Sequence, residues 1–272
     1  MKIGVMVNLS ENIGAEFQKI TRMGFPTCQL VCWEPALFTH TMASRVRAAV
    51  NDYGTEITAL WVGWEGPCVW DLVDGPETIG LVPPAYRFER IQTLLKGAEF
   101  AGQTGIPNII THVGFIPERP ADPEYPGLIQ ALRYLIARLP RFNCNFLFET
   151  GQETPVTLLR TIQDIGLANA GINLDPANLI MYGKANPVDA LDVFGAHVRG
   201  VHAKDGLYPT GGRSPGIETP LGEGKVDFPK LIARLRQLKY SEAITIEREI
   251  SGEQQIQDIL KAKAVLENLF SA

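Results

Sequence analysis

Residues 146–202 read FLFETGQETPVTLLRTIQDIGLANAGINLDPANLIMYGKANPVDALDVFGAHVRGVH and alternate two kinds of segment. Phe146–Glu149, Gly171–Leu174 and Val198–His202 are apolar runs of strand length. Between them, Thr154–Ile165 and Pro187–Phe194 have helical spacing, the second placing Val188, Leu191 and Phe194 on one face. Strands and helices in strict alternation predict a parallel sheet covered by helices. The rhythm continues in both directions. Upstream, strands are expected at Lys2–Val7, Thr27–Cys32, Glu56–Trp61 and Asn108–His112, with helices over about 14–23, 41–51, 86–103 and 127–139. The proline-rich segment 114–126 reads as loop. Downstream, a helix over 228–238, a strand at Ala243–Ile246 and a helix over 254–270 complete an eighth unit.

Eight units in 272 residues give 34 residues apiece, the size of one repeat of a (β/α)8 TIM barrel, and no linker divides the chain. A single α/β barrel domain over residues 1–272 is therefore expected. A doubly wound open sheet is the competing architecture, and it calls for a glycine-rich phosphate loop after the first strand. After Val7 the chain instead reads NLSENIGAEF, which lacks that loop.

Composition narrows the function. With 25 Lys+Arg against 30 Asp+Glu the net charge is −5, and 45% of residues are hydrophobic. That balance gives no footprint for nucleic acid or an anionic membrane. The longest uncharged stretch, Phe100–Pro117, contains Gln103, Asn108 and His112 and is too polar to span a bilayer. The four cysteines, Cys28, Cys32, Cys68 and Cys144, are irregularly spaced, and Met1–Ser10 reads as a first strand rather than a leader, so a cytoplasmic protein is expected.

In a barrel the chemistry sits at the C-terminal ends of the strands. Four consecutive strands end in Glu149, Asp175, His202 and Glu247, at spacings of 26, 27 and 45 residues. A single carboxylate at a strand end is ordinarily a helix cap or a solvated loop residue. Three converging carboxylates repel one another and raise one another's pKa, a conflict that a divalent cation resolves. Three oxygen donors and one imidazole suit Mn2+, Mg2+, Co2+ or Zn2+, the oxygen-rich set favouring Mn2+ or Mg2+.

The segments FET, NLDPANL, VHAKD, PLGEGKVDF and TIERE resemble the xylose-isomerase-like barrels, which include sugar isomerases, ketose 3-epimerases and inosose-processing enzymes. The resemblance spans essentially the whole chain. It implies that Glu149, Asp175, His202 and Glu247 hold the metal, Mn2+ foremost, with Glu149 and Glu247 doubling as the acid/base pair. It further implies a small sugar or cyclic polyol substrate and a homodimer or homotetramer. A metal on the carbonyl and adjacent hydroxyl of such a substrate acidifies the C–H between them and stabilises the enediolate. Return of the proton to the other face of the same carbon is epimerisation, to the neighbouring carbon isomerisation, and loss of a β-hydroxyl is dehydration. A lyase or dehydratase acting on an inosose or 3-keto sugar is thus the alternative enzyme, and a non-catalytic sugar-binding barrel the alternative outside catalysis. DNA repair endonucleases share such barrels, but their trinuclear site calls for more than the four histidines present.

Further candidates for the substrate are His112, closing NIITH; Asn178, where several epimerases of the family carry D-x-x-H; Lys204, of the same strand parity as His202; Trp64, in the long loop after the third strand; and Arg213, in the segment GGRSPG. An amide at 178 can donate to a sugar hydroxyl but cannot act as an imidazole does. Asp205 is placed to hold the loop that follows it.

Overall fold

Eight parallel strands close on themselves in the computed structural model, which describes residues 1–271. In chain order the elements are β1 (Lys2–Asn8), α1 (Ile13–Arg22), β2 (Thr27–Cys32), α2 (His40–Tyr53), β3 (Glu56–Val62), α3 (Gly75–Thr78), α4 (Pro84–Thr104), β4 (Asn108–Thr111) and α5 (Glu124–Ile136). There follow β5 (Asn145–Glu149), α6 (Pro155–Ile165), β6 (Ala170–Leu174), α7 (Pro176–Met181), α8 (Pro187–Phe194), β7 (Val198–Ala203), the short β8 (Asp205–Gly206) and β9 (Glu218–Thr219), α9 (Phe228–Gln237), β10 (Ala243–Ile246) and α10 (Glu253–Ser271). The barrel runs β1-β2-β3-β4-β5-β6-β7-β10 and back to β1, while β8 and β9 pair antiparallel outside it. This is the (β/α)8 TIM barrel expected from the strand–helix rhythm. Among the described residues no helix is long and apolar enough to cross a membrane.

Strand parity positions the site. Phe146, Phe148, Ile172, Leu174, Val201, Ala203, Ile244 and Ile246 belong to the large apolar cluster shared with the helices, with Phe17, Val46, Phe100 and Leu132. The alternate residues point into the barrel, where Ala59, Trp61, Ile110 and Leu147 form a separate cluster. Following that inward parity along each strand and past its end gives Glu149, Asp175, His202, Lys204 and Glu247. Beneath them lies a polar layer rather than a wholly aliphatic one: Gln29 Nε2 donates to Asn173 Oδ1 at 3.2 Å across the barrel. The layer leaves no room at Gly200, where a Cβ would collide with Asn173 Oδ1.

Two long loops rise above the strand ends, and each is pinned by one buried side chain. After β3, the Arg90 guanidinium on α4 donates to the carbonyls of Pro67, Thr78 and Gly80 and stacks between Trp64 and Tyr86. After β7, the Asp205 carboxylate accepts four backbone N–H groups, those of Gly206, Gly222, Gly224 and Val226. The expected role of Asp205 in holding this loop is met in detail.

The structure departs from the sequence expectation at three helices, the first being the one-turn α3 within the stretch after β3 that was expected to be loop. Helix α5 runs from Glu124 to Ile136, each end three residues ahead of the expected 127–139, so that its start falls in the segment 114–126 expected to be loop. Pro126 is tolerated because the first turn of a helix has no intrahelical partners for its N–H groups. Helix α7 was not expected at all, although D-P-A-N carries its start signal: Asp175 caps it by accepting the Asn178 N–H, and Pro176 occupies the first position.

Overpacking at the polar layer gives a test of the fold. Gly200→Ala should lower the urea-unfolding free energy by about 1–3 kcal/mol. Gly211→Ala, at a position with open space around it, should change it by less than about 0.5 kcal/mol.

Candidate metal centre and substrate pocket

Glu149 ends β5, Asp175 follows β6, His202 lies in β7 and Glu247 follows β10, so four adjacent strands of the barrel deliver one ligand group each. Their ligand atoms all lie within 4.8 Å of one another. His202 Nδ1 is 2.7 Å from Glu247 Oε2, 3.2 Å from Glu149 Oε1 and 3.6 Å from Asp175 Oδ2.

The surroundings orient these atoms. Gln29 has its amide N–H committed to Asn173, so its Oε1 accepts from His202 Nε2 at 2.8 Å, which leaves His202 Nδ1 facing the carboxylates. Asp175 divides its two oxygens: Oδ1 caps α7, and Oδ2 faces the cluster. Its backbone is locked by Thr150, whose hydroxyl accepts the Asp175 N–H and donates to the Asp175 carbonyl. Trp61 Nε1–H donates to Glu149 Oε2. Asn178 Nδ2–H reaches Glu149 Oε1 at 3.5 Å, and His112 Nε2 stands 3.7 Å from Glu149 Oε2.

Three of the atoms that converge, His202 Nδ1, Asp175 Oδ2 and Glu247 Oε2, are buried without a hydrogen-bond partner. Unsatisfied buried polar atoms are costly, and here they point at one place from several strands. A divalent cation satisfies all of them together, so the donor set fits a metal, and these four residues can hold one.

The charges tell the same story. Burial favours a neutral Glu149, but His112, His202 and Lys204 outweigh it and hold the carboxyl far below its ordinary value, at about 2. At Glu247 burial prevails over Lys204 and His202 and lifts the carboxyl to about 7. Burial alone would lower His202, yet Glu247 and Glu149 raise it well above its ordinary value. Burial lowers the His112 pKa, against the opposing pull of Glu149. Lys204 remains an ammonium because Glu247, Glu249 and Asp175 overcome its desolvation; it lies 3.6 Å from Asp175 Oδ2 and Glu247 Oε1 and 3.0 Å from Glu249 Oε1.

A cavity of about 520 Å3 opens above the cluster. Glu149 and Glu247 line it; Asp175 and His202 lie below. Of the residues expected to meet substrate, His112, Asn178 and Lys204 also line it. Trp64 does not: it is buried behind Trp33, Trp61 and Trp70 and stacks on Arg90. Arg213 also stands outside, exposed on the rim, where its carbonyl accepts the Leu72 N–H and ties the two long loops together.

Sequence reasoning missed Trp33, Glu249 and Tyr182, all of which line the cavity. The first two were accessible to the parity rule, each lying two residues beyond an inward position, Val31 and Glu247. Tyr182 follows the unexpected α7 and had no such signal.

A family model described as xylose isomerase-like TIM barrel matches residues 17–269, and the chain belongs to that family. The crystal structure of a xylose isomerase domain protein from Planctomyces limnophilus is 33% identical, with a TM-score of 0.93 over 98% of this chain and 96% of that one. A D-tagatose 3-epimerase-like protein is 20% identical, with a TM-score of 0.78 over 100% and 97% of the two chains. The apo form of 3-keto-D-glucoside 4-epimerase from E. coli is 20% identical, with a TM-score of 0.73 over 98% and 99%. At that identity the last two show a shared fold.

Because His202 and Glu247 hold protons near neutrality, a cation must displace them. Mn2+ affinity measured by calorimetry should therefore rise at least about tenfold from pH 6 to pH 8, with proton release. One ion should bind per chain, and Asp175→Asn should weaken it by about 10–100-fold.

Proposed function

We propose that this protein is a divalent-metal-dependent sugar isomerase or epimerase that moves a proton at the carbon next to a carbonyl, with Glu149 and Glu247 as the acid/base pair. One observation carries this reading. Of the four clustered ligand residues, only these two line the cavity, and they stand on strands β5 and β10, separated by β6 and β7. They face a bound sugar from two sides, as inversion of one carbon requires.

A divalent ion held by Glu149, Asp175, His202 and Glu247, with Mn2+ favoured by the oxygen-rich set, would supply Lewis acidity that polarises the carbonyl and steadies the enediolate. The remaining work falls to side chains. One glutamate takes the proton from carbon and the other returns it from the opposite face. Trp61 and Asn178 fix the rotamer of Glu149 through its two oxygens, so its basic lone pair has a defined direction. His112 can donate to a sugar hydroxyl, and the Lys204 ammonium stabilises negative charge developing on a substrate oxygen. Trp33, Trp61 and Trp70 wall the cavity and reduce access of water to the carbanionic stage. The fold it shares with a 3-keto-D-glucoside 4-epimerase and a D-tagatose 3-epimerase-like protein is consistent with this chemistry.

Proton exchange tests the proposal. A panel of ketoses and inososes incubated in D2O with Mn2+-loaded protein, the metal being removed before NMR, should show deuterium at a carbon adjacent to the carbonyl. The product then separates epimerisation from isomerisation and from loss of a β-hydroxyl. At saturating metal, Glu149→Gln and Glu247→Gln should each slow exchange by about 10²–10⁴-fold. Unchanged exchange in either variant would contradict the assignment.

A further inference from the structure

The cavity concentrates its buried polar groups at one end. At its base stand Glu149, Glu247, His112, Asn178 and Lys204; towards solvent the wall passes to Trp33 and Trp70. These two indoles remain 44% and 39% exposed, although Trp61 and Trp64 behind them are buried. They are continuous with the base: Trp33 packs on Trp61 with ring centroids 4.9 Å apart, and Trp70 packs edge-on against His112 at 5.3 Å.

The carboxylates at the mouth are partly committed, with the Glu249 side chain still 58% exposed. Glu218 accepts the Glu249 N–H and pairs with Arg248 at 2.9 Å, and Glu249 pairs with Lys204 at 3.0 Å. Beside the Glu249 carboxylate, the mouth thus offers chiefly aromatic area. A single hexose has about a dozen non-hydrogen atoms, fewer than the drug-sized ligands that cavities of this size enclose. Seated at the base, it leaves Trp33 and Trp70 without a partner. Indole surface of this kind is matched by the C–H face of a second sugar ring or by an aromatic ring.

We infer that the substrate is a keto-sugar glycoside: the keto-bearing ring sits over the metal-ligand cluster, and the O-linked ring stacks on Trp33 and Trp70. This deepens the proposed function and rests on it for the placement of the keto-bearing ring.

The test compares binding of phenyl 3-ketoglucoside, a 3-keto disaccharide and free 3-ketoglucose to Mn2+-loaded protein by calorimetry, alongside proton exchange on the same compounds. Both glycosides should bind at least about tenfold more tightly than the free keto-sugar, the scale of one good aromatic contact. Trp70→Ala and Trp33→Ala should bring that ratio close to one, and Trp70→Tyr should largely restore it. Equal affinity of the three compounds, or a ratio indifferent to all these substitutions, would overturn the inference. A preserved ratio without exchange would leave the glycoside site standing and remove the enolisation chemistry; exchange without any ratio would do the reverse.

Discussion

Three carboxylates and an imidazole crowded within 4.8 Å, nearly all of them out of contact with water, are the constraint on which the rest of the structure depends. Such a group repels itself unless positive charge is supplied. Protein groups supply part of it: Lys204 lies beside Asp175 and Glu247, and His202 is driven towards its protonated form. Three ligand atoms still have no hydrogen-bond partner, so the arrangement is one that a bound cation completes. The surrounding architecture serves to keep those atoms aimed. The Asn173–Gln29–His202 chain sets the imidazole, α7 and Thr150 set Asp175, and Trp61 sets Glu149.

The same geometry divides the cluster into two pairs. Asp175 and His202 sit below the cavity and have their remaining atoms committed to the scaffold. Glu149 and Glu247 reach the cavity itself, in opposite electrostatic settings, one carboxyl depressed and the other raised. Different environments for two carboxylates are a general means of dividing acid and base roles. The loops above are held just as firmly, by Arg90 on one side and Asp205 on the other, so the wall of the cavity is built on fixed backbone rather than on a free segment.

Much of this was legible in the sequence because barrel physics is periodic. Alternation within β5, β6, β7 and β10 fixes which residues point inward, and extending the count past each strand end reaches Glu149, Asp175, His202 and Glu247. The count extends equally to Trp33 and Glu249, but neither is read out by ligand chemistry alone. What stayed hidden was set by tertiary contacts. Trp64 follows a glycine in the long loop after β3, where a substrate contact was expected; Arg90, distant in sequence, packs on it in the interior instead. Arg213 lies in a loop whose path depends on a backbone bond to Leu72. Helix α7 is six residues long, too short for periodicity to register, and its cap residue doubles as a member of the cluster.

The central claim is that one cation occupies the point where these four strand ends meet. Anomalous diffraction from crystals grown with Mn2+ measures this directly. The account expects a single anomalous peak per chain, bonded to Glu149, Asp175, His202 Nδ1 and Glu247, with His202 Nε2 still on Gln29. A peak elsewhere, more than one ion in the cluster, or an ordered cavity floor with no anomalous signal at saturating Mn2+ would contradict it.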